Sequence, residues 1–183
     1  AIVPQPNWRD DLRDFRKLGR PRLFFGISAG CMDSMVNKYT ANKRLRSDDA
    51  YTPDGRPDMR PEYPSIVYTQ ILKKLYPDVP VVLGGIEASM RRLSHYDYWQ
   101  DRLKKSILCE SGADMLIYGM GEKPICELVR RLTALCDNQD GVISSSDIHS
   151  PALSSIPQTA YLTRKYESDE NDITLYSHEE CLA

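Results

Sequence analysis

Short continuous apolar runs alternate along the chain with stretches whose apolar residues recur every three or four positions, and this change of period predicts alternating strands and helices. Leu23-Phe24-Phe25-Gly26-Ile27 is the first run, closed by Ser28-Ala29-Gly30 and followed by helix-compatible Met32-Asp33-Ser34-Met35-Val36. Val79-Pro80-Val81-Val82-Leu83 is the second; it is β-branched and unalternating, as suits a parallel strand buried on both faces, and Gly84-Gly85 ends it. Asp114-Met115-Leu116-Ile117-Tyr118 is the third. Residues 66–76 place Val67, Ile71 and Leu75 on one helical face, and residues 122–135 align Ile125, Leu128, Val129 and Leu132. Residues 98–108 also suit a helix, and residues 10–18 predict a short surface helix stopped by Gly19 and Pro21. Three strand-to-helix units in succession predict an α/β, Rossmann-like, doubly wound and mostly parallel sheet in three layers.

Periodicity is lost over residues 39–65, where Pro53, Pro57, Pro61 and Pro64 are interleaved with charges; irregular stretches longer than about 15 residues are usually functional or disordered. Beyond Cys136, Asp137-Asn138-Gln139-Asp140-Gly141 and Ser144-Ser145-Ser146 read as a solvated loop. Thr159-Ala160-Tyr161-Leu162-Thr163 adds a last strand, and Glu167-Ser168-Asp169-Glu170-Asn171-Asp172 reads as an acidic linker. Residues 1–136 are thus expected to form one Rossmann-like domain, with residues 137–183 supplying loop, final strand and linker. Ala1-Ile2-Val3, with no initiator Met, reads as the middle or end of a strand in a chain that begins inside a longer polypeptide.

The balance of 24 Lys+Arg against 26 Asp+Glu leaves a net charge of -2, so no global field draws the chain toward nucleic acid or an anionic membrane. Lys38, Lys43, Arg44 and Arg46, with Tyr39 and Tyr51, would suit a nucleotide contact, but nearby aspartates offset them and nucleic acid is not indicated. Five cysteines, an odd number without close pairs, point to a reducing cytoplasm, and no apolar run approaches the ~20 residues of a membrane-spanning helix.

Ligands of parallel α/β sheets bind at the carboxyl ends of the strands, where free backbone N–H groups gather. Three glycine-bearing turns are expected there: Ser28 with Gly30; Gly84 and Gly85 with Glu87 and Ser89; and Gly119 and Gly121 with Glu122. These residues, together with His95, are the candidate cofactor- or substrate-binding set; the glutamates would accept hydrogen bonds from hydroxyls or amines. The alternative is that the glycines only make tight turns. His95-Tyr96-Asp97-Tyr98-Trp99 concentrates an imidazole, a carboxylate and three aromatic rings. Arg91-Arg92 is a candidate anion holder. Gly26-Ile27-Ser28-Ala29-Gly30 matches G-x-S-x-G between a strand and a helix, so a serine hydrolase using Ser28 with Asp114 and His149 is a second reading.

Several strings are specific to one family: Leu23-Phe24-Phe25-Gly26-Ile27-Ser28-Ala29-Gly30-Cys31-Met32-Asp33-Ser34-Met35, Asp48-Asp49-Ala50-Tyr51-Thr52-Pro53, Leu83-Gly84-Gly85-Ile86-Glu87-Ala88-Ser89 and His95-Tyr96-Asp97-Tyr98-Trp99. Through residues 4–135 the chain resembles the N-terminal region of the YgiQ-type radical SAM proteins. The resemblance implies a Rossmann-like domain akin to cobalamin-binding domains, followed by a radical SAM barrel that carries a 4Fe-4S cluster on C-x-x-x-C-x-x-C and binds S-adenosylmethionine. That triad is absent from residues 1–183, so no cluster ligand is assigned here. Cobalamin held by a lower histidine would need D-x-H-x-x-G, which is also absent; base-off cobalamin binding stays open, ranked below an architectural or substrate-docking role. The implied partner is the protein's own barrel, with the domain catalytically silent by itself. An autonomous ligand-binding module is the alternative.

Overall fold

The computed structural model describes residues 1–138, 141–164, 166 and 169–183; Gln139, Asp140, Glu167 and Ser168 of the expected loop and linker lie outside them. In chain order the elements are α1 (Arg13–Arg16), β1 (Phe25–Ser28), α2 (Ser34–Lys38), α3 (Pro64–Leu75), β2 (Val81–Gly84), α4 (Gly85–Met90), β3 (His95–Asp97) and β4 (Arg102–Lys104). They continue with α5 (Ile107–Ser111), β5 (Met115–Ile117), α6 (Glu122–Asn138), α7 (Pro151–Ser154), β6 (Thr159–Ala160) and α8 (His178–Leu182). No helix among the described residues is long and apolar enough to cross a membrane.

β1, β2 and β5 are parallel and adjacent, and β6 closes the sheet antiparallel to β5, in the order β1-β2-β5-β6. Phe25 lies opposite Val81, Ile27 opposite Leu83, and Leu83 opposite Leu116. Because successive strand residues point to opposite faces, Val81, Leu83 and Leu116 pack on one side with Tyr68, Leu72, Ala88, Ile107 and Leu108. Val82, Met115 and Ile117 pack on the other with Leu128, Leu132 and Cys136, whose four-residue spacing makes one buried stripe of α6. The result is the expected three-layer, mostly parallel α/β sandwich.

Four local expectations differ. The helix over residues 10–18 shrinks to α1, because the side chains of Asp10 and Asp11 accept the N–H groups of Leu12 and Arg13 and Leu12 takes a left-handed conformation. The helix expected over 98–108 is instead a hairpin of β3 and β4 followed by the short α5. Asp97 causes this: its Oδ1 accepts from the N–H groups of Trp99 and Gln100, each at 2.9 Å, which turns the chain where a helix would have to start. Finally, Ile143, Ile148, Leu153 and Ile156 are buried beside α6, so the stretch read as solvated loop also contributes core side chains. Residues 1–3 form no strand.

Candidate functional site

Parallel adjacency brings the carboxyl ends of β1, β2 and β5 to one edge of the sheet, and the three glycine turns meet there. β2 runs into α4 without a loop, so Gly85 must turn sharply; its φ is +83°, and a Cβ on it would stand 2.5 Å from Ser28 Oγ. Gly30 N–H donates to the same hydroxyl at 3.1 Å. α4 then bridges toward β5: Ser89 Oγ donates to the Gly85 carbonyl at 2.8 Å and accepts from Gly119 N–H at 3.2 Å. A Cβ on Gly119 would lie 3.0 Å from the Gln158 amide nitrogen, and one on Gly121 would lie 3.3 Å from Ile117. Ser28, Gly30, Gly84, Gly85, Ser89, Gly119 and Gly121 therefore sit on one surface. Glu122 is exposed on the first turn of α6 at the same edge, where a carboxylate complements the helix dipole. Exposed Ile86, Met90 and Met120 stand among these turns.

Glu87 does not share that surface. It is 0% exposed and turned beneath the edge, where its two oxygens accept from Ser34 N–H at 3.0 Å and Ser65 N–H at 3.2 Å. One carboxylate thus caps the first turns of α2 and α3 together, a cross-chain use that sequence spacing does not reveal. Arg91, read from sequence as a candidate anion holder, is also buried; it is paired with Asp33 and lies 4.0 Å from Glu87. Asp33 itself caps α2 by accepting from Met35 and Val36.

Next to this cluster the Tyr63 hydroxyl donates to Asp97 at 2.7 Å, while Arg91 and Lys104 lie 5.3 and 4.6 Å from the Tyr63 ring. Burial works against the charge on Asp97, but the Tyr63 hydroxyl, the N–H groups of Gln100 and Trp99, and Lys104 outweigh it and hold its pKa below the usual value. Burial, reinforced by Asp97, pushes the Tyr63 hydroxyl upward. The sequence singles out Asp97 as the carboxylate of the His95–Trp99 segment, but not its partners Tyr63 and Lys104, because the three converge from an irregular loop and two strands.

His95 belongs to the hairpin, not to the glycine edge. Its Nδ1 meets the Leu93 carbonyl at 3.0 Å, and the hairpin turn is held by Tyr98 donating to the Ala41 carbonyl at 2.7 Å and by Tyr39 packing on Trp99. The hydrolase constellation does not assemble either. Asp114 precedes β5 at the amino edge, where it binds Val81 N–H at 2.7 Å and Lys73 at 2.6 Å, while Ser28 ends β1 at the carboxyl edge. His149 packs against Tyr161. An acid and a base so placed do not orient a Ser28 nucleophile.

The five cysteines are free thiols, and no group of three or more His, Cys, Asp or Glu among the described residues is placed to hold a metal ion. An iron-sulfur cluster does not fit these side chains. No imidazole joins the glycine edge through its described contacts, so cobalamin held by a lower histidine does not fit there either.

The family model described as radical SAM N-terminal matches residues 1–183. A UPF0313 protein of Bacteroides thetaiotaomicron is 75% identical over 185 residues, covering 100% of this chain and 30% of its own length. A UPF0313 protein of Porphyromonas gingivalis is 67% identical over 186 residues, covering 100% of this chain and 27% of its own length. UPF0313 protein YgiQ of Escherichia coli is 56% identical over 132 residues, or 72% of this chain and 18% of its own length. No solved structure matches the chain. The chain accordingly spans less than a third of each of these relatives, and it belongs to the radical SAM N-terminal family of UPF0313 proteins.

Proposed function

We propose that this domain is a catalytically silent part of a radical SAM enzyme, and that its carboxyl edge faces the remainder of the longer protein and there presents a substrate or cofactor surface. One observation carries the reading: three glycine turns packed against one another stand side by side at the carboxyl ends of the strands, crested by exposed Ile86, Met90 and Met120. Apolar side chains of this size at a sheet's ligand edge suit a covered surface better than a solvated one. The 4Fe-4S cluster and S-adenosylmethionine that the family suggests belong, in this reading, to the polypeptide outside residues 1–183. Bound S-adenosylmethionine there would supply a radical on one-electron reduction; the residues here position and exclude water. Gly85, Gly119 and Gly121 let the three turns pack together into one face, Ser28 and Ser89 fix the turns, and Glu122 offers an acceptor at the rim.

The test uses the full-length protein reconstituted with iron and sulfide. Placing charges on the crest with Met90→Lys and Met120→Lys is expected to lower reductive cleavage of S-adenosylmethionine at least ~10-fold, because a buried unpaired ammonium opposes docking. Iron content and the unfolding midpoint should stay at the wild-type values. Unchanged turnover in the double variant would overturn the reading.

A further inference from the structure

A cavity of about 1130 Å³ runs along the side of β1 away from β2. Phe15, Phe25, Tyr68 and Leu72 are among its apolar walls, and Gly26 and Ser28 of β1 also line it. Within β1, Phe25 N–H donates to the Pro80 carbonyl at 2.9 Å, which fixes the peptide groups of Phe25 and Ile27 toward β2. By strand periodicity the N–H and C=O groups of Gly26 and Ser28 point the other way, into the cavity, and β1 pairs only with β2 among the described residues. Gly26 and Ser28 are both exposed, so these backbone groups are open to the groove. A strand edge open on one side is a ready template for another backbone.

We propose that this groove seats an extended strand from the polypeptide outside residues 1–183, which pairs with Gly26 and Ser28 and enlarges the sheet beyond β1. Several features select this occupant. The unused groups include a strand edge, which another backbone satisfies in register; a four-residue partner about 13 Å long would match β1. The floor is apolar, as the flank of a buried parallel strand requires. Over two-thirds of the length of the Bacteroides thetaiotaomicron and Porphyromonas gingivalis relatives lies outside the matched region, so ample chain exists to supply it. The inference rests on the chain being one part of a longer protein, but not on docking at the carboxyl edge.

Hydrogen exchange with single-amide resolution, on the full-length protein, tests it. Gly26 and Ser28 are expected to exchange as slowly as Phe25 and Ile27, at least ~100-fold slower than open amides. Gly26→Pro separates the cases further, since proline is tolerated on a strand edge whose N–H faces solvent but not where that N–H is used. A Cβ at position 26 meets nothing closer than the Phe24 ring at 3.8 Å, so Gly26→Ala is the control for bulk. A lower melting temperature in Gly26→Pro but not Gly26→Ala, with lost protection at Ser28, supports the strand. Fast exchange at Gly26 and Ser28 beside protected Phe25 and Ile27 overturns it, and so does protection that disappears when a bound small molecule is dialysed away. Because the Met90→Lys, Met120→Lys variant reads the carboxyl edge through S-adenosylmethionine cleavage and not through β1 exchange, failure here is distinguishable from failure of carboxyl-edge docking.

Discussion

The glycine edge and the charge cluster directly beneath it are built from neighbouring residues and do opposite things. At the edge, Gly85, Gly119 and Gly121 let the turns close on Ser28, Gln158 and Ile117, and apolar Met90 and Met120 are left uncovered. Beneath it, Asp33, Glu87, Arg91, Tyr63 and Asp97 are buried and bonded to one another or to helix N–H groups. α4 belongs to both: Gly85 and Ser89 serve the surface while Glu87 and Arg91 serve the foundation. Charge close to a candidate site is therefore no guide to chemistry; what matters is whether its hydrogen-bonding capacity is already used.

If that division is right, the largest effect comes from the foundation. Glu87→Ala removes the acceptor shared by Ser34 and Ser65 and strands their N–H groups, and should cost about 3 kcal/mol in urea unfolding. A loss under about 1 kcal/mol would return Glu87 to the list of ligand-facing residues. Gly85→Ala comes next. The left-handed φ and the 2.5 Å approach to Ser28 Oγ together should cost about 2 kcal/mol, and Ser28→Ala in the same chain should recover roughly half. Additive losses in the double variant would show that the two turns do not touch.

Acid sharpens the comparison through the carboxylates. Asp97 and Asp49 titrate below the ordinary value of 3.8 in the folded chain: burial opposes their charge, but hydrogen bonds from Tyr63 in one case, and from Asn37, Tyr51 and Arg60 in the other, prevail. A depressed folded pKa gives stability that is present above pH 3.8 and lost as pH falls through the folded values. The urea midpoint should hold between pH 7 and about pH 5, then drop below about pH 4, and Asp97→Asn should flatten that drop. The smallest effect belongs to the rim: Glu122→Gln, on the exposed first turn of α6, should change stability by no more than about 0.5 kcal/mol.

What the sequence revealed follows the same line. Strands such as Val81-Val82-Leu83 and the Leu128, Leu132 and Cys136 stripe were legible because burial on both faces, or on one, leaves a fixed period. So were the glycine turns, since only a strand end before a helix puts glycines there. The hairpin was not: His95-Tyr96-Asp97 and Arg102-Leu103-Lys104 are too short to display an alternation, and one Asp97 side chain decides between helix and turn. Glu87 was assigned to the wrong side of α4 because its partners, Ser34 and Ser65, lie 53 and 22 residues away.

Methionine oxidation in the full-length protein tests the docking of the carboxyl edge most directly. Within residues 1–183, Met120 is 74% exposed, Met90 63% and Met59 45%, so peroxide acting on an uncovered edge would form sulfoxide in that order. A docked edge reverses the order: Met90 and Met120 are oxidised more slowly than Met59 because the rest of the protein covers them. Oxidation that follows the exposures seen in this domain would contradict it.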